Sequence, residues 1–211
     1  MNLPVPLGYL PHMDLGSMAG HEMRRCGMPA LAVLTGTAVA LGVVLVVLPS
    51  SWAGWLVASA LPLAFGMAAA MVAGGEDALE LHLTLPTPYP RTLRRRLAVL
   101  VGVAAVVLAA VVGVLSASGR VHDPVQVLVD AGSVAILLLG TAVYAAVGSG
   151  SPGAPSAVVL TAWLAKLLVL DGALRGSGTA AVVAAGAGLA LLLVAGRRLE
   201  DSEHLMRAAV A

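Results

Sequence analysis

Arg94-Arg95-Arg96-Leu97-Ala98-Val99-Leu100-Val101-Gly102-Val103-Ala104-Ala105-Val106-Val107-Leu108-Ala109-Ala110-Val111-Val112-Gly113-Val114-Leu115-Ser116-Ala117 decides the fold class. From Leu97 to Ala117 no ionisable side chain interrupts the run. A helix needs about 20 apolar residues to cross roughly 30 Å of hydrocarbon, and this run is long enough. The three arginines at its start anchor it among lipid headgroups, where a basic head stays wet while its stem lies in the apolar phase.

Five further apolar runs lie on either side: Pro29 to Pro49, Ala53 to Ala73, Pro124 to Val147, Pro155 to Ala173 and Gly178 to Gly196, the fourth and fifth spans alone holding charges inside, Asp130, Lys166 and Asp171. The expected fold is therefore all-α, a polytopic membrane protein with six transmembrane helices. Composition agrees. The chain has 211 residues, 59% of them hydrophobic and only 11% charged, with mean hydropathy +0.96. Soluble domains carry about 25% charged residues, so a water-soluble fold of this length could not cover its surface. Pro29, Pro124 and Pro155 stand at helix starts, where a missing N–H costs nothing. Pro62 falls inside the second span and predicts a kink.

Arginine placement sets the orientation. With the N-terminus inside, the cytoplasmic side holds Arg24, Arg25, Arg91, Arg94, Arg95, Arg96, Arg197, Arg198 and Arg207, and the outside only Arg120 and Arg175. Both termini are expected in the cytoplasm of a cell inner or plasma membrane. No signal peptide is expected in residues 1–23, where Pro4, Pro6, Pro11, Asp14 and Glu22 break any apolar run. Residues 1–28 form a cytoplasmic or interfacial segment, with an interfacial helix near 13–27 as one reading and a free tail as the other. Residues 29–196 form the transmembrane domain and 197–211 a helical cytoplasmic tail. The predicted outer connections, 50–52, 118–123 and 174–177, are too short for an external domain. Trp52 and Trp55 suit an outer aromatic belt.

Several function classes drop out. A net charge of +1 offers no basic face for nucleic acid. A lone Cys26 forms no intrachain disulfide or cysteine metal site. Lys166, the only lysine, has no glycines around it, so no phosphate-cradling loop is present. Gly-x-Ser-x-Gly and His-Glu-x-x-His are absent, and His12, His21, His82, His122 and His204 are scattered. The chain is expected to be neither an enzyme nor a holder of metal or cofactor.

The cytoplasmic interval 74–96 carries the strongest functional signal. Glu76, Glu80 and Thr84 fall at i,i+4, and leucines stand at Leu79, Leu81, Leu83 and Leu85. A short amphipathic helix ended by Pro86, Pro88 and Pro90 fits this pattern, with a new helix from Thr92. On these residues the chain resembles the ABC-2 type family of ABC transporter permeases. Members carry Glu…Gly-Thr-Leu-Glu-Leu-Leu-Leu-x-x-Pro between the second and third spans. Here Leu79-Glu80-Leu81, Leu83 and Pro86 match, Glu76 lies upstream, and Arg91 takes the place of a frequent basic residue. Asp77-Ala78 stands where Gly-Thr is usual, and His82 interrupts the leucines.

The resemblance implies a coupling helix seated in a groove of a separate ATPase, which would bind the ATP and magnesium. It also implies a second permease copy or a related permease, and export of a hydrophobic or amphipathic cargo such as a drug, lipid or peptide. Glu76, Asp77 and Glu80 would offer charge-assisted contacts to that ATPase. A gradient-driven carrier using Asp130, Lys166 and Asp171, and a non-transporting scaffold or regulator, are the alternatives. Lys166 sits near the middle of the fifth span, where a lysine costs roughly 3 kcal/mol and should pair or face water. Asp130 of the fourth span is the expected partner, since Asp171 lies off the best i,i+4 direction.

Overall fold

The computed structural model describes residues 28–47, 50–74, 89–149, 151, 153–171 and 178–210. Apolar runs become helices throughout, and no strand occurs among the described residues. They are α1 (Met28–Val47), α2 (Ser50–Gly74), α3 (Tyr89–Ala117), α4 (Pro124–Gly148), α5 (Ala154–Ala165) and α6 (Thr179–Val210). A π-helical turn, Lys166–Leu170, continues α5. Four stretches are long and apolar enough to cross a bilayer: Trp52–Gly74, Arg91–Ala117, Pro124–Gly148 and Thr179–Leu199. Pro29–Leu45 and Ala154–Leu170 are apolar but shorter. The chain is thus an all-α membrane protein, with helices at all six expected places and full spanning length in four of them.

Burial sorts the helices into centre and rim. In the most apolar windows of α2 and α4, 67% and 50% of residues are buried within the bundle, against 11% for α3 and 17% for α6. The two central helices therefore carry the packing, and the outer two turn most of their apolar surface toward the bilayer. One core cluster gathers Leu34, Phe65, Leu100, Leu138 and Val159 from α1 to α5. A second gathers Leu41, Val57, Val112 and Val121 around the other half of α2. Burying a side chain of this size stabilises by roughly 1.5–3 kcal/mol relative to water. Within lipid that drive largely vanishes, and close packing has to replace it.

The closest packing is between α4 and α6. A Cβ on Gly188 would lie 2.6 Å from Ile136 C and from Leu137 Cα. One on Gly140 would lie 3.0 Å from Gly188 C and Cα. Only hydrogen at both positions lets the two backbones meet. A Cβ on Gly36 or Gly186, by contrast, would have nothing within 4 Å.

Helix ends follow local chemistry. Asp123 caps α4 by accepting from the Gln126 N–H at 3.0 Å, and Pro124 fills the first helical position. Gly119, at φ +70°, turns the chain out of α3. Arg120 Nη1 donates to the Leu45 carbonyl, giving an acceptor near the end of α1 a partner.

Two expected boundaries move. Residues 50–52, expected as an outer loop, belong to the first turn of α2. α3 begins at Tyr89 rather than Thr92, because Pro90 sits in its first turn, where proline is tolerated, instead of terminating the preceding segment. The last helix runs past Gly196 to Val210, in line with the helical tail expected from Arg197 onward. Helix α2 continues through Pro62.

Candidate functional site: a polar cavity between four helices

Helices α2, α4 and α6 start at one end of the bundle, and α5 finishes there. Between them lies a cavity of about 860 Å³. Its wall takes Trp55, Ala58 and Ser59 from α2, and Gln126, Asp130 and Ser133 from α4. Lys166, Leu167 and Asp171 come from α5 and its π turn, and Ala181 and Ala184 from α6. At about 1.5 Å per residue, Ser59 and Ser133 stand roughly 14 Å below the helix starts. Polar groups therefore line a space reaching well into the apolar zone.

The Lys166 ammonium donates to Asp171 Oδ2 at 2.8 Å. This corrects the expected pairing with Asp130. An α-helix has about 3.6 residues per turn, so a residue five further on overshoots the one below it. Here the Asp171 N–H bonds the Lys166 carbonyl, an i→i+5 closure. The extra residue in the turn brings Asp171 back above Lys166. Such single π turns occur mostly inside α-helices, often at functional sites. Side-chain exposures of 13% for Lys166 and 34% for Asp171 leave the pair partly sheltered.

Asp130 is held differently. Gln126 Nε2, one turn earlier on α4, donates to its Oδ1 at 2.9 Å. The amide is neutral, and no cation stands among the described partners of Asp130. Ser133 Oγ donates to the Asp130 carbonyl at 2.8 Å, turning that hydroxyl back onto its own helix. Asp130, Lys166 and Asp171 thus share one cavity, with the ion pair closed inside α5 rather than between helices.

Two α2 features add acceptors. Pro62 has no N–H, so the Ala58 carbonyl loses its α-helical donor. Ser59, only 3% exposed, carries a hydroxyl with no hydrogen-bond partner. Its carbonyl accepts from Trp163 Nε1 at 3.0 Å, pinning α5 to α2 beneath the cavity. At the rim, Trp52 and Trp55 meet edge to face with centroids 6.1 Å apart.

The opposite end of the bundle is basic. Arg91, Arg94 and Arg95 are exposed at the start of α3, and Arg197 and Arg198 near the end of α6. The Arg198 guanidinium lies 5.1 Å from the centroid of the Tyr144 ring. Of the expected coupling residues, Glu76, Asp77, Leu79, Glu80, Leu81, Leu83 and Pro86 lie outside the described residues, as do the expected interfacial helix at 13–27 and the connection 174–177. Arg91 is described and exposed. The segment's two flanks, Gly74 ending α2 and Tyr89 opening α3, both belong to this basic end.

Among the described residues, no three His, Cys, Asp or Glu side chains gather closely enough to hold a metal ion. Ser59, Gln126 and Ser133 were not singled out as site residues in the sequence. A readable signal existed for Gln126, which follows a capping Asp-Pro and stands at i,i+4 from Asp130. No family model, characterised protein or solved structure matches this chain.

Proposed function

We infer that this chain is the membrane subunit of an ABC-2-like exporter, driven by ATP hydrolysis in a separate ATPase. One observation carries the reading: α2 belongs to both working ends of the bundle. Its early turns supply Trp55, Ala58 and Ser59 to the cavity, and its last residue, Gly74, leads into the acidic, leucine-bearing segment 75–88. Twenty-five residues of continuous helix, about 37 Å at 1.5 Å per residue, join the two.

The mechanism follows from that continuity. An ATPase gripping Glu76, Asp77, Glu80, Leu79, Leu81 and Leu83 would push on α2 and α3 when it closes on nucleotide. A packed helix moves as a rigid element between discrete arrangements rather than bending freely. The push would shift the α2 wall against α4 and α5 and change the opening of the cavity. Arginine distribution supports an orientation with the basic end cytoplasmic, both termini inside and the cavity outside, so cargo would leave from it. Membrane-facing α3 and α6 offer surfaces for a second permease copy or a related permease.

Co-purification tests this. The full-length chain should bring down the ATP-binding-cassette ATPase encoded beside it, and the double change Glu80→Arg, Leu81→Arg should release that ATPase. If the complex survives the double change, the docking assignment fails. A gradient-driven carrier is favoured by one observation, the charges Asp130, Lys166 and Asp171 within one cavity. It predicts transport that follows a proton gradient and ignores ATP.

A further inference from the structure

The charges on the described wall of the cavity do not balance. Lys166 is already matched by Asp171 at 2.8 Å. Asp130 has only the neutral Gln126 amide as its described side-chain partner. The wall of described residues therefore carries one excess negative charge. A part-buried carboxylate held only by a neutral amide gains from a cation placed beside it in the cavity.

Three further wall groups can accommodate the same sign. The Ala58 carbonyl lacks its helical donor, and the buried Ser59 hydroxyl has unused hydrogen-bonding capacity. Trp55, half exposed on the wall, can lay its ring against a positive centre. Ala58, Val134 and Leu167 make much of the remaining wall apolar. A space of about 860 Å³ lies within the range of drug-sized ligand sites. A bare metal ion would leave most of it empty.

We propose that this cavity binds a lipophilic organic cation, an ammonium or phosphonium centre on an aromatic or alkyl body, with Asp130 as its counter-ion. The assignment deepens the transport reading by naming the class of cargo, and it rests on that reading only for the step of export. Binding itself requires no ATPase.

The test uses the full-length chain in lipid nanodiscs and two radiolabelled probes of nearly equal size and opposite charge, tetraphenylphosphonium and tetraphenylborate. Empty nanodiscs give the partition background. Saturable phosphonium binding is expected, with borate at background. Asp130→Asn keeps an acceptor for Gln126 and should weaken phosphonium binding about tenfold or more. Asp130→Glu keeps the charge and should retain it. The proposal is overturned if borate binds as well as phosphonium, if Asp130→Asn binds like the unaltered protein, or if both variants lose binding alike. Failure of the ATPase to co-purify would remove the exporter and leave a positive binding result standing. Failure of binding would remove the cation and leave the ATPase complex intact.

Discussion

Replacing Gly188 by alanine should destabilise the bundle by about 2 kcal/mol. The new methyl would sit 2.6 Å from Ile136 C and Leu137 Cα, where ordinary contact begins at 3.4 Å. Neither neighbour is a flexible side chain, so α4 and α6 must part by about 1 Å. A gap of that order forfeits roughly a quarter to a half of each dispersion contact, each worth about 0.1–0.2 kcal/mol. Some tens of atom pairs along the two helices are affected, and their summed loss is again near 2 kcal/mol. Lipid provides little hydrophobic drive to compensate. Gly186→Ala is the matched control, two residues away on the same helix with nothing within 4 Å. It should be neutral or slightly stabilising, since alanine favours helix over glycine. Denaturant unfolding in mixed micelles, followed by tryptophan fluorescence, measures both. Equal effects of the two substitutions would refute the reasoning.

Other outcomes follow from named contacts. In a double-mutant cycle, Lys166→Gln and Asp171→Asn should couple by about 1–2 kcal/mol, between the ranges for exposed and buried pairs, while Lys166→Gln and Asp130→Asn should couple more weakly. Trp163→Phe removes the donor to the Ser59 carbonyl and should cost about 1 kcal/mol, read from the same unfolding curves. A cysteine at His122 should react with an impermeant maleimide from outside intact cells, and one at Arg197 only after permeabilisation. The reverse pattern would invert the orientation.

How much of this was legible beforehand depended on the type of feature. Long apolar runs predict the helices because lipid tolerates no unpaired backbone, and Pro124 marks the first residue of α4. Lys166, Asp171 and Asp130 announced themselves as ionisable groups in apolar runs. Lys166 pairs with Asp171 rather than Asp130 because i,i+4 spacing holds only for a regular α-helix. The π turn at Lys166–Leu170 changes which residue stands above which, and no residue in that apolar stretch signals it. Gly188 could not be told from Gly186 because small residues fill the chain; only the approach of Ile136 and Leu137 separates them. Ser59 gained importance through Pro62 and Trp163, neighbours that sequence spacing alone does not bring together.

Transmission along α2 is the step on which the account turns, and a spin–spin distance reads it directly. Labels at Trp52→Cys on α2 and Leu168→Cys in the π turn, both exposed positions, report the separation of α2 from the end of α5 once Cys26 is replaced by serine. In the complex with its ATPase, trapping the hydrolysis state with ATP and vanadate should shift the distance distribution. Glu80→Arg with Leu81→Arg should abolish that shift. A distribution that ignores nucleotide, or one that moves equally in the Glu80/Leu81 variant, would contradict the account.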